Sequence, residues 1–200
     1  AYTALYKVWK DNSLCKRLAK VIDLITTRLY NPQTHHLISY CDLNWNNLDD
    51  IDSYGHDIET SWLLTEAAEA LGDPEVIGRC RKVSLELADA SLKEGINPMG
   101  AMMYERHKDK IRKDASWWCQ AETVVGCINV WQLTGEQSYL DSAVRTWNFI
   151  KSRMIDKEYG EWFRTVLEDG TPRYKEPKAS MWNCPYHNSR MGFEIDTRLK

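Results

Sequence analysis

Apolar residues along the chain recur at helical spacing for most of its length. From residue 13 to 29 Leu14, Leu18, Val21, Ile22, Ile25 and Leu29 fall on one helical face. That pattern predicts an amphipathic helix capped by Asn12 or Ser13 and stopped by Asn31-Pro32. A second helix is expected from His56 to Leu71, ended by Gly72-Asp73-Pro74, and Pro74 suits the first turn of a third that runs to about Leu92. A fourth runs from Ser116 to Leu133 and stops at Thr134-Gly135. A fifth, Gln137 to Met154, is supplied by Tyr139, Leu140, Val144, Trp147, Phe149 and Ile150. Short helices are expected before residue 11 and after Pro185.

Connections alternate in length. Short turns at Lys10–Ser13, Gly72–Pro74 and Thr134–Glu136 join helices into hairpins, whereas segments 31–55, 95–115 and 156–185 separate one hairpin from the next. These long segments carry strand signals at 37–40, 102–104 and 161–166, the last before Asp169-Gly170 and therefore a hairpin candidate. The arrangement repeats: Glu59-Thr60 and Glu122-Thr123 are 63 residues apart, as are Gly72 and Gly135. Helix hairpins at such a period cannot close their apolar faces alone and must stack. The expected architecture is an all-α, (α/α)6-toroid type of helical hairpin repeat with six to seven helices and short β-hairpins in the long loops. A closed toroid of six pairs needs about twice this length, so residues 1–200 read as the C-terminal part of a barrel whose N-terminal half is absent. The opening Ala1-Tyr2-Thr3, without an initiator Met, agrees with that expectation.

Composition narrows the function. With 26 Lys+Arg against 29 Asp+Glu and a net charge of −3, neither a nucleic-acid partner nor a polybasic membrane surface is expected. No stretch approaches the length of a membrane span. The six cysteines are scattered without paired spacing, which favours reduced thiols, a cytoplasmic setting and no thiolate metal site. Nine Trp and ten Tyr against three Phe favour aromatics with a polar handle.

The unusual residues gather at the starts of inner helices. His56 and Glu59 are i and i+3, so the carboxylate could hold the imidazole in one tautomer. The alternative is that Asp57 and Glu59 are first-turn acids facing the helix dipole. Trp117-Trp118 opens the matching helix either as core or as a platform for the C–H face of a sugar, and Glu122 is there either a hydrogen-bonding carboxylate or an ordinary helix acid. The cluster 181–191 adds Trp182, His187, Asn188 and Arg190 at a third helix start. His35-His36 cannot share a site if extended, because neighbours then point apart, and His107 lies in a charged loop.

The run from Tyr54 to Leu64 resembles the central motif of cellobiose 2-epimerases, within the N-acylglucosamine 2-epimerase superfamily. Trp117-Trp118 before Gln120-Ala121-Glu122, Gly160-Glu161-Trp162-Phe163 and the run from Trp182 to Met191 are similar to further motifs of that family, in the same order. The resemblance implies an (α/α)6 barrel and cofactor-independent epimerisation at C2 of the reducing-end sugar of β-1,4 disaccharides such as cellobiose. It implies His56 and His187 as the catalytic histidines, Glu59 as the carboxylate supporting the first, and Trp117 and Trp182 as sugar-holding residues. Trp118, Glu122, Asn188 and Arg190 join the expected substrate-binding set; no metal and no cofactor are required. Cys119, Arg164 and Asn183 depart from the family's usual residues, and its further histidine motif and substrate-binding arginine fall outside these residues. With half the funnel wall missing, little activity is expected unless two copies pair. The nearest rivals are an N-acylglucosamine 2-epimerase or mannose isomerase, and a toroidal glycoside hydrolase using Glu59 and Glu122.

Overall fold

In a computed structural model describing residues 1–200, seven helices form two layers. They are α1 (Tyr2–Val8), α2 (Asn12–Leu24), α3 (Tyr54–Leu71), α4 (Pro74–Gly95), α5 (Trp117–Thr134), α6 (Gln137–Phe149) and α7 (Tyr186–Arg198). α2 and α6 each continue into one wider π turn, Ile25–Leu29 and Ile150–Met154, so both expected spans hold. The cap of α2 is Asp11, not Asn12 or Ser13: its carboxylate accepts from the Leu14 amide at 2.9 Å. Asp73 caps α4 in the same way and Pro74 takes its first turn.

The helices divide by burial. α2 buries only the stripe Leu14, Leu18 and Ile22, as an outer helix should. α5 is buried from Trp117 to Val130 without a break, and α3 also buries residues on all sides, which marks inner helices. α3 packs on α4 and α5 on α6 as hairpins, while α3, α5 and α7 stand side by side in the inner row. Gly72 and Gly135 end the two inner helices with φ of 82° and 74°, a left-handed cap that glycine adopts without a Cβ penalty. The helical-hairpin repeat of an α/α toroid is therefore present, with the core of the wall between α3 and α5.

Close approach of those two helices rests on small residues. A Cβ on Gly126 would stand 2.6 Å from Ile58 Cγ1 and 3.0 Å from the Ile58 carbonyl oxygen. Gly78, in the outer helix α4, has nothing within 4 Å. Gly→Ala substitutions at the two positions are expected to act in opposite directions. Gly78→Ala should gain about 1 kcal/mol from helix propensity, whereas in Gly126→Ala overpacking of about 1–3 kcal/mol outweighs that gain. Urea-denaturation midpoints of the two variants check the difference in sign.

The long loops all lie at the end where the inner helices begin, and they are stitched by short strands. β1 (Tyr30–Asn31) and β2 (His36–Leu37) form one hairpin; β4 (Glu105–His107) and β5 (Lys110–Arg112) form another. β3 (Ile51–Asp52) of the first loop joins β4 of the second. β6 (Ala115–Ser116) of the second joins β7 (Thr165–Val166) of the third. The run 161–166 thus does not fold chiefly on itself. A single bridge, Val166 to Pro172, closes the Asp169-Gly170 turn, and the main partner of β7 lies some fifty residues upstream. All six cysteines are free thiols. No helix is long and apolar enough to cross a membrane.

Candidate functional site

Because the inner helices run in parallel, their N-termini bring His56, Trp117-Trp118 and His187 to one mouth. There they line a cleft of about 530 Å³. The Trp118 indole packs near both imidazoles, 4.7 Å from the His56 ring and 5.7 Å from that of His187. Both members of the Trp pair are buried and yet border the cleft, so core and platform are one role here. Trp182 reaches the cleft from the third long loop and is 79% exposed, leaving its face open to a ligand.

Beneath the histidines is a charged network. Glu122, 1% exposed, accepts from Trp62 Nε1 at 2.9 Å, from Arg190 Nη2 at 2.7 Å and from His187 Nδ1 at 2.7 Å. The same Arg190 nitrogen bonds Glu59. Burial disfavours the charge on Arg190, but Glu122 and then Glu59 outweigh it and hold its pKa above the usual arginine value. His187, donating through Nδ1 to Glu122, keeps Nε2 for the cleft. One atom each from Glu59, Glu122 and His187 lie within 4.8 Å of one another, yet Arg190 already supplies the cation there.

The geometry gives several of the expected residues partners of their own. Glu59 borders the cleft but pairs with Arg190, and the ring partner of His56 is Ser53 Oγ, 2.7 Å from Nδ1. Glu122 is the hydrogen-bonding carboxylate of the two readings, buried under His187. Arg190 and Asn188 also stand off the cleft lining, Arg190 as the counter-charge and Asn188 bonded to Glu161 at 2.6 Å. Asp57 is an acid in the first turn of α3, as the alternative expected; at 1% exposure it also accepts from His36 Nδ1 at 2.7 Å and from the Leu37 amide at 2.9 Å. His35 does turn away, to the Tyr30 hydroxyl, and His107 sits exposed beside Asp49 as a loop residue.

Residues from the loops complete the lining. Tyr104 stands edge-on to Trp118 and carries Arg112 over its ring at 4.2 Å. Asp114, Arg164 and Glu176 form the polar rim. Only the strand signal at 102–104 hinted at Tyr104; the others are brought in by the β6–β7 pairing and by the Trp117 amide, which donates to the Arg164 carbonyl at 3.0 Å. Two buried atoms of the lining residues lack partners, Trp117 Nε1 and Glu176 Oε2, one a donor and the other an acceptor.

Comparisons with known proteins agree with this geometry. The family model described as N-acylglucosamine 2-epimerase (GlcNAc 2-epimerase) matches residues 1–188. A cellobiose 2-epimerase of Bacteroides fragilis is 41% identical over 196 residues, covering 97% of this chain and 50% of that protein. One from Ruminococcus albus is 39% identical over 203 residues, covering 99% and 51%. The crystal structure of a sugar epimerase from a ruminal bacterium superposes with a TM-score of 0.95 at 38% identity, over 99% of this chain and 51% of the other. The chain spans about half the length of the curated relatives it matches.

Proposed function

The chain belongs to the N-acylglucosamine 2-epimerase family, and from that premise we propose that it forms the C-terminal part of a carbohydrate 2-epimerase barrel acting at C2 of the reducing-end sugar of cellobiose-like disaccharides. The observation that carries the reading is the pair of imidazoles that both pack near Trp118 and line one cleft, each held through Nδ1.

Once the pyranose opens, the C2 proton is α to an aldehyde and acidic enough for a neutral imidazole. His56 or His187 takes it, giving an enediolate, and the other, as imidazolium, returns a proton to the opposite face with inverted configuration. Imidazoles serve both as base and as acid at neutral pH, and the two exchange roles in the reverse direction. Glu122 stabilises the imidazolium form of His187 without touching sugar. Trp182 offers an indole face to the second sugar. Trp182→Ala is expected to raise KM for cellobiose roughly 3–10-fold with little change in kcat, read from initial rates.

Hydrolysis by Glu59 and Glu122 is disfavoured, because both carboxylates are committed to Arg190 and one is buried beneath the cleft. The half-length match supports a barrel completed by further chain. So do apolar grooves at the two edges of the wall, one beside Leu18, Ile22 and Leu63 and the other beside Ile128, Trp147 and Ile195. A second copy is the other candidate for covering those edges. Six free thiols favour a reducing, cytoplasmic setting. Incubating cellobiose with the chain and with the complete barrel tests the reading: a glucosyl-mannose product from the barrel supports it, and its absence there overturns it.

A further inference from the structure

We propose that His36, Asp52 and Glu94 form a site for a divalent transition-metal ion, separate from the cleft, with Asp57 holding the histidine. One ligand atom from each of the three lie within 4.8 Å of one another, and none of the three lines the cleft. His36 Nε2 is 3.3 Å from Glu94 Oε2 and 3.8 Å from Asp52 Oδ2.

The second nitrogen of His36 is bound in the manner of a metal-ligating histidine. Nδ1 is 2.7 Å from Asp57 Oδ2, and Asp57, itself 1% exposed, is fixed from its other oxygen by the Leu37 amide. A carboxylate behind the imidazole sets its tautomer and leaves Nε2 as the outward lone pair.

A second, independent feature is the Tyr54 hydroxyl. Tyr54 is 0% exposed and its oxygen has no hydrogen-bond partner. Its ring is 6.0 Å from that of His36, and the charges acting on it are those of Glu94, Asp52, Arg106 and Asp57. The ring fits there because position 95 has no side chain; a Cβ on Gly95 would stand 2.7 Å from Tyr54 Cγ.

Charge balance also points to a dication. Asp52, Asp57 and Glu94 carry three negative charges against the single guanidinium of Arg106, which bonds Asp52 Oδ2. The carboxylates outnumber that one fixed cation, and a divalent ion bound among them would supply positive charge. An imidazole beside carboxylates suits zinc, cobalt or manganese better than magnesium or calcium. Glu94, with 42% of its side chain exposed, provides the way in. Bound there, the ion would tie β2 and β3 of the first loop to the end of α4, next to the helix start that carries His56.

The test is titration of the chelator-treated full chain with Co2+, followed by absorbance and by melting temperature. One cobalt per chain is expected, with d–d absorption, no thiolate charge-transfer band and a raised melting temperature. Glu94→Gln should weaken binding at least ~100-fold, the upper range for loss of even an outer-shell partner, and abolish the melting shift. No binding, binding unchanged in Glu94→Gln, or a thiolate band would each overturn the site.

Discussion

Replacing His187 by Ala is expected to lower C2 epimerisation by the complete barrel about 10²–10⁴-fold, the usual worth of a positioned general acid or base. KM should move only a few fold, because Trp117, Trp118 and Trp182 still line the cleft. The loss is catalytic, not structural: the His187 side chain is 20% exposed, and its removal leaves Glu122 two other donors, Trp62 and Arg190. His56→Ala should fall by a similar factor. The double variant should be scarcely worse than either single one, since the two imidazoles work as a pair, one taking the C2 proton and the other returning it. Rates of glucosyl-mannose formation for the four proteins check this, and additive losses would mean that the two residues act independently of one another.

Glu122→Ala is expected to be the most destabilising single change in the wall, by about 3–5 kcal/mol, the cost of stripping one partner from a buried charge pair. It would leave the Arg190 guanidinium with Glu59 as its one carboxylate and the Tyr186 hydroxyl as a neutral partner, and would strip the Trp62 indole N–H of its acceptor. For a chain of this size that amounts to a melting point lower by roughly 6–20 °C. Glu122→Gln should lose less, because an amide oxygen still accepts from Trp62 or Arg190. Activity should nevertheless drop in both, as His187 loses the acceptor that fixes its tautomer. Calorimetric melting of the two variants separates the structural cost from the catalytic one.

The helical frame was legible because it is written locally. Periodic apolar positions and the glycine stops at 72 and 135 put every helix within a few residues of its place, and the 63-residue repeat exposed the hairpin architecture. The register of that repeat also located the three helix starts that carry His56, Trp117 and His187. What stayed hidden depends on pairings distant in sequence. Glu59 and Glu122 were recognised as equivalent, but nothing local reveals that both close on Arg190, 131 and 68 residues away. In the sequence His36 is only one half of a histidine pair whose members point apart, because its partners Asp57 and Glu94 lie 21 and 58 residues downstream. The β7 run carried a turn signal strong enough to suggest a hairpin, while its actual partner, β6, is fixed only when α5 places Trp117 against the Arg164 carbonyl. Local chemistry identified the elements; the burial of charge decided which side chains support one another.

The central claim, proton exchange at C2 between two histidines, is tested most directly by reacting cellobiose with the complete barrel in D2O and locating deuterium by NMR. The glucosyl-mannose product should carry one deuterium at C2 of its reducing-end sugar and none in the non-reducing unit. Product lacking deuterium at C2, or free glucose in its place, would contradict the account.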